Sequence, residues 1–560
     1  MFKKTDPNPQ LDIFTAPSMQ LGSRASKKYS DPNAWHNQFY SLVTTKIDEE
    51  IFKPLFPEGK KSGRPNASIR ILVAMSVLKE GFGCSDEDLF EKCEFDLLTR
   101  KALGMELLTD VTPSIDTYYL FRRRICEYQE RTGIDLMQLC FEQLAGKHVH
   151  LLKIAGKCVR MDSKLIGSNI ARQSRYELIH TTLVKFLKTC TLTHLSPEQE
   201  ERAKEYLKED SSKTVYRSDS DTLQSNLARI GNFIMEMLAA FPATSPAHDL
   251  LQRLFDEQYV VMDGKAVLRD KKEVKADSLQ NPNDPDATYR AKNDQKVQGY
   301  VTNITETVEE GKPNIITSVQ VETAVFADCH FLQEAVENSE RVTDSTIEDL
   351  YADGAYQSPD NREFAKNHNA MQLKTGKMQG GCRWELIPHD EDGLTIREIA
   401  TGNTYEAVKA VTKQGSRKRW RIPWNNKTGW RYFEDKDIKA YQLRKQIESL
   451  PLEEQHKRNN VEAAMFQYSF HTRNGETRYR GLLKHRMHAY SRCMWMNLRR
   501  MVIFQISTFQ RSIFALFGPI REAFGSFKAI SRKIFTSGAD CYVSLRMTTL
   551  VRLDSKYAPF

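Results

Sequence analysis

Two strand-like runs in this chain each end on an aspartate. The run Leu151 to Met161, with Val159 flanked by Lys157 and Arg160, stops at Asp162-Ser163. The run Ile347 to Ala352 stops at Asp353-Gly354, where the glycine lets the backbone turn sharply. A third acid, Glu462, follows Arg458-Asn459-Asn460-Val461 at the head of a basic, aromatic stretch. At 3.6 residues per turn this stretch places Arg458, Glu462, Met465, Phe466 and Ser469 on or near one helical face. Each acid alone has an ordinary reading: a lone Asp caps or turns a chain, and a lone Glu among cations makes a salt bridge. Positions 162, 353 and 462 are far apart, so only tertiary folding brings the three together.

A chain of 560 residues exceeds one ordinary core, and two to four folded units are expected. Lys and Arg number 81 against 73 Asp and Glu, and the surplus of +8 favours a polyanionic partner. The cysteines form no C-x-x-C pair, which argues against zinc and a disulfide framework and for a reducing compartment. The N-terminal residues lack the apolar segment of a signal peptide, and Met501 to Phe517 is broken by Gln505, Gln510 and Arg511. The expectation is a cytoplasmic protein with no membrane partner.

In chain order, residues 1–30 read as a flexible arm and 31–150 as an all-α N-terminal DNA-binding domain. Within it, Ser85 opens an S-x-x-D cap, and Thr112-Pro113-Ser114 starts a helix offering Arg122, Arg123 and Arg124. With the turn Gly81-Phe82-Gly83 these fit a helix-turn-helix-like unit, although solvated arginines are common on helical bundles. Residues 174–259 read as a helical insertion with a helix start at Ser196-Pro197-Glu198-Gln199 and a charged loop over Glu209 to Asp221. A basic run with Arg290 and Lys292 precedes two paired strands, Val297 to Thr305 and Asn314 to Thr323. Helices are expected over Cys329 to Glu337 and Pro359 to Asn367.

Residues 380–434 read as a β-rich insertion with Trp384, Trp420, Trp424 and Trp430. There Arg417-Lys418-Arg419-Trp420-Arg421 interleaves cations with an aromatic side chain, either to track phosphates and stack on unpaired bases or to form a cross-strand Trp pair. Asp435 to Leu450 and Glu453 to Ile506 read as helical, and 507–560 as a C-terminal tail. Two strand-tip aspartates and a helical glutamate suit a site with two Mg²⁺ or Mn²⁺ ions, hard cations that take oxygen ligands. Arg458, one turn before Glu462, is placed to hold a phosphate.

In this order the residues resemble the DDE transposases of bacterial insertion sequences, in the branch with a Tyr-x2-Arg-x3-Glu-x6-Lys signature. The resemblance rests on Gly63-Arg64-Pro65, Gly83-Cys84-Ser85-Asp86, Asp162-Ser163, Asp284-Pro285-Asp286-Ala287-Thr288 before Gly299-Tyr300, Ala352-Asp353-Gly354-Ala355-Tyr356, Val461-Glu462, Arg480-Gly481 and Asn497-Leu498. It implies an α/β catalytic core formed by 151–173, 260–379 and 435–506, an RNase H-like mixed sheet with flanking helices, with Asp162 on the first strand, Asp353 after the fourth and Glu462 on a later helix as catalytic, metal-binding residues. It also implies cleavage of double-stranded DNA at terminal inverted repeats and joining of the 3′-hydroxyl ends to target DNA. The cofactor would be two Mg²⁺ or Mn²⁺ ions, and the assembly a homodimer or larger. Gln455 and Ser469 stand where the signature has Tyr and Lys, residues that help hold the terminal phosphate in related enzymes. Arg473 or Arg478 can serve there only if the helix breaks near Asn474-Gly475. Two alternatives stay open: a catalytically decayed, transposase-derived DNA-binding protein, and a metal-dependent nuclease without strand transfer.

Overall fold

The computed structural model describes residues 2–5, 16–56, 65–242, 245–292, 295–375, 382–389, 393–410, 419–424, 429–449, 451, 454, 457 and 461–523. Its N-terminal part is all helical. The expected arm is ordered where it is described: short helices span Pro17–Gln20 and Ser23–Tyr29, and the Tyr29 ring is buried. The carbonyl of Tyr29 is held by His36 and Asn37, and Thr5 donates to the buried Glu49. One buried aromatic is enough to pin a polar segment that shows no periodicity of its own.

Four longer helices follow. Helix α1 (Ile69–Phe82) is capped by Ser68 and ended by Gly83 at φ 66°, and α2 (Asp86–Phe95) begins with a reciprocal Ser85–Asp88 capping box. Helices α3 (Ile115–Thr132) and α4 (Leu136–Leu152) start at Ser114 and Asp135, each accepting from backbone N–H groups of the first turn.

The chain then enters β1 (Cys158–Gly167), a longer strand than expected. Asp162 lies in its middle and not at its tip, because the antiparallel register against a later strand continues past it to Gly167. The insertion follows, with a hydrophobic core of its own around Ile179, Phe186, Ile230, Phe233, Ile234 and Leu254. It is helical as expected, and a capping box forms at Ser196 and Gln199. The stretch 209–221 is helical too: Asp210 and Asp219 cap helices at Ser211–Arg217 and Ser220–Ala240, so its acids act as helix starts. The hairpin β2 (Tyr259–Met262) and β3 (Lys265–Leu268) closes the insertion.

Strands β4 (Thr288–Lys292), β5 (Gln295–Thr307) and β6 (Ile316–Thr323) come next, then helix α5 (Leu332–Thr343), β7 (Asp349–Ala352) and β8 (Gln372–Thr375). They form a mixed sheet with β1. β6 and β4 share one edge of the long β5, β1 lies on its other edge, and β7 and β8 extend the sheet from β1. β5 runs antiparallel to its neighbours, whereas β7 and β8 run parallel to β1. At the end of the β1–β5 pair Gly167 faces Gly299, and a Cβ on Gly299 would strike the Ile166 carbonyl oxygen. Only glycine fits so close a backbone approach.

Strands β9 (Trp384–His389), β10 (Gly393–Glu398), β11 (Thr404–Ala410), β12 (Arg419–Trp424) and β13 (Gly429–Glu434) form an antiparallel sheet in chain order, backed by α6 (Asp435–Glu448). The helical stretch expected to run unbroken to Ile506 is divided. α7 (Val461–Ser469) ends, Asn474 and Gly475 adopt positive φ, and α8 (Leu482–Ala523) begins after Gly481 at φ 87°. Helix α8 packs on α1, α4 and β6, so one hydrophobic core joins the N-terminal helices, one face of the sheet, α7 and α8.

Candidate functional site

The mixed sheet brings two of the three expected acids together. Asp162 is largely withdrawn from solvent and accepts from the Ser163 N–H at 2.8 Å. Burial pushes its pKa up to about 6 against that hydrogen bond, and the nearby Asp353 adds to the rise. Asp353 follows β7 and accepts from the Gly354 N–H at 2.7 Å. Asp328 is the third acid of this neighbourhood, and Asp162, Asp328 and Asp353 all raise the pKa of the buried Tyr356, on top of the larger effect of its burial. The Tyr356 hydroxyl donates to Asn303 Oδ1 at 2.6 Å. Asp328 is already satisfied by cations, with Arg290 at 3.0 Å and Lys292 at 3.6 Å.

Glu462 does not join them. The face of α7 turned inward is Val461, Ala464, Met465 and Tyr468, which leaves Glu462 and Phe466 exposed on the other side. Among the described residues no group of three or more His, Cys, Asp or Glu is placed to hold a metal ion. That finding overturns the expected two-ion Mg²⁺ or Mn²⁺ site at Asp162, Asp353 and Glu462, and with it the expectation of a metal-dependent enzyme that cleaves and joins DNA. Helix phase sets its exposure: sheet contact selects the apolar stripe of α7, and the carboxylate one residue after Val461 is left outside that stripe.

The expected DNA-binding arginines of the helical part divide. Arg122 points inward between the rings of Tyr118 and Tyr479, with Asp86 at 4.0 Å. Arg123 is exposed beside Glu127 at 3.5 Å, and Arg124 is half-buried against the Phe56 ring. The turn between α1 and α2 is not a free reading head. A Cβ on Gly81 would strike Trp495, and one on Gly83 would strike His471, so the turn is packed against α8 and the loop after α7. Helix α2 opens with Asp86, Glu87 and Asp88, charges that repel a phosphate backbone.

Arg290 and Lys292 lie on Asp328, and Arg417 and Arg458 fall outside the described residues. In the second sheet the alternation of β12 turns Trp420 inward, 4% exposed, among Trp384, Ile396 and Phe433. It packs in a core and offers no face to a base. The outward side carries Arg419 over the Tyr432 ring at 4.0 Å and Arg421 over the Trp430 ring at 4.2 Å. Trp430 and Tyr432 remain 49% and 40% exposed. The period-two pattern of Gly429–Glu434, with Phe433 buried between outward neighbours, is the sequence signal that separates these rings from Trp420.

A further residue, Lys164, was not singled out from the sequence. On the same face of β1 as Asp162, its half-buried Nζ donates to Ser469 Oγ at 2.7 Å. A cation from the strand thus reaches the position where the helix has serine. Burial lowers its pKa, and the Asp162 charge opposes that fall.

Residues 28–124 match the family model described as Transposase domain (DUF772). The matched stretch contains α1, α2 and the first half of α3. No curated protein and no solved structure matches the chain. The match relates the helical N-terminal part to transposases at the level of that domain. Among the described residues no helix is long and apolar enough to cross a membrane.

Proposed function

We propose that this chain is a transposase-derived DNA-binding protein that engages DNA through the outer face of the β9–β13 sheet. The observation that carries the reading is the pair of cation–aromatic stacks there, Arg419 on Tyr432 and Arg421 on Trp430. Exposed aromatic rings stack on unpaired bases, worth about 1–3 kcal/mol per base, while adjacent guanidinium groups follow the phosphates. Cross-strand stacking holds both arginines in place before DNA arrives, which lowers the ordering cost of binding. The transposase-domain match and the surplus positive charge support the same partner.

The proposed domain plan has helical residues 31–150, a core from 151–173, 260–379 and 435–506, and insertions at 174–259 and 380–434. The core is read as RNase H-like in descent. Its support is the strand order β6-β5-β1-β7-β8, with β5 alone reversed in that path.

The test is fluorescence anisotropy of the full chain with a labelled single strand of about 20 nucleotides. Trp430→Ala is expected to weaken binding about tenfold, matching the loss of one stacked base. Arg421→Ala should lower the slope of log affinity against log salt by about 0.7. Wild-type affinity in both Trp430→Ala and Tyr432→Ala would refute the reading.

A further inference from the structure

A second basic surface lies at the end of β1. The break between α7 and α8 folds residues 470–481 back along this strand. Gly167 N donates to the Gly475 carbonyl at 2.8 Å, Thr477 N donates to the Gly167 carbonyl at 3.0 Å, and Asn169 N donates to the Tyr479 carbonyl at 3.0 Å. This docking gathers Arg473, Arg478 and Arg480 from the loop, Arg172 from the segment after β1, and Lys296 from β5, all five exposed.

The arginines are held by neutral acceptors. Arg480 Nε donates to the Asn169 carbonyl at 2.6 Å, Arg478 Nη2 to the Gly83 carbonyl at 2.8 Å, and Arg172 Nη2 to the Lys296 carbonyl at 3.1 Å. A carbonyl orients a guanidinium without cancelling its charge, and the other donors of the fork remain available for a bidentate anion. Among the described residues none of the five forms an ion pair with a carboxylate. Of the acids nearby, Asp88, which feels the charge of Arg478, closes the α2 capping box, and Asp286 accepts from Leu482 N; Glu476 lays its Cγ against Gly167 in the same loop, which leaves one acid among five cations.

We infer that this rim is a phosphate track for duplex DNA, separate from the aromatic sheet face. The inference rests on the DNA-binding reading, since the transposase-domain match and the net charge of +8 select nucleic acid among polyanions. Three arginines held by carbonyls and two further exposed cations, with no shape-specific pocket, suit backbone contact, which positions a duplex without reading its sequence.

The experiment measures anisotropy of a random-sequence duplex of about 30 base pairs across a salt series, with a single strand of the same length in parallel. The first variant is Lys296→Gln/Arg473→Gln, because among the described residues neither side chain makes a hydrogen bond or ion pair that the fold needs. Its duplex affinity should fall at least tenfold near 0.1 M salt and its salt slope by about 1.8, at about 0.9 per lost phosphate contact. Its single-strand binding should stay at the wild-type level. Adding Arg172→Gln, Arg478→Gln and Arg480→Gln, with melting temperature as the control for folding, should deepen the duplex loss alone. Unchanged duplex affinity and slope in the first variant would overturn the track while leaving the sheet-face reading intact. Wild-type protein that binds neither duplex nor single strand would overturn both. A rim variant that loses only its binding to anionic lipid vesicles, with duplex binding retained, would assign the surface to a membrane and overturn the track.

Discussion

At the residue scale, strand phase separates a core tryptophan from an outward-facing one. Trp420 is packed among Trp384, Ile396 and Phe433, and Trp430 stands outside under Arg421. Trp420→Ala should therefore cost about 3–5 kcal/mol of stability in chemical denaturation, the range for emptying a large aromatic site. Trp430→Ala should melt within about 0.5 kcal/mol of wild type and lose only nucleic-acid affinity. Equal destabilisation by the two substitutions would show that the two strand faces have been exchanged. Asp162 offers a second residue-level outcome. Burial pushes its pKa up to about 6 from an ordinary aspartate value of 3.8, so its contribution to stability is full below about pH 4 and is lost as pH rises through 6. Asp162→Asn should consequently raise stability at pH 7 by up to about 2 kcal/mol, at 1.36 kcal/mol per unit and discounted for partial solvent contact. That gain should vanish in melts at pH 4.

At the element scale, α1 and α8 are joined by a charged network centred on Glu80. Burial pushes the Glu80 carboxyl up, but the charge and hydrogen bond of His488, the charge of Lys79 and the Tyr479 hydroxyl together bring it down to about 2. The Nδ1 of His488 lies 2.6 Å from Glu80, and Arg492 donates to the Glu80 carbonyl at 2.9 Å. A depressed acid stabilises the fold above its unfolded pKa near 4.5, and that stability is lost as pH falls from there toward 2. Glu80→Gln should destabilise the chain at pH 7 and flatten the acid limb of its pH–stability curve over that window. A variant with an unaltered acid limb would remove Glu80 from the link. Removing one partner of a buried charged pair leaves the other uncompensated, so a loss of about 3 kcal/mol is expected.

The helix starts were legible at this scale because capping is local. Ser85, Ser114 and Ser196 each serve N–H groups within three residues, and all three begin the helices their spacing predicts. The paired strands β5 and β6 and the β-rich character of 384–434 were legible for a similar reason, since β-branched runs bounded by turn residues specify their own conformation. The break at Asn474-Gly475 was the condition on which Arg473 and Arg478 depended, and the positive φ of both residues meets it.

At the scale of the whole molecule, the cores do not follow chain order. One core takes Phe39, Val73, Leu78 and Phe141 from the N-terminal helices, Ile304 and Val319 from the sheet, and Tyr490, Met494 and Trp495 from α8. Residues 16–154 expressed alone should therefore lack a cooperative thermal transition, because α8 covers their apolar face. Residues 174–279 carry a self-contained core and should unfold cooperatively as an isolated fragment. Calorimetry of the two fragments checks both outcomes. A cooperative transition in the first would show that α8 is dispensable to that core.

Sequence alone determined what depends on neighbours a few residues away: caps, strand pairing, the helical insertion and the turn-rich sheet. Tertiary structure decided which side of each element meets which partner. It turned Arg122 and Trp420 inward, placed Asp162 within a strand, and left Glu462 on the exposed side of its helix. It also folded the loop after α7 onto the end of β1, where dispersed arginines share one rim. The physical reason is that local hydrogen bonds fix an element's type, whereas its rotation is fixed by burial of its whole apolar face. A charged side chain only follows that rotation.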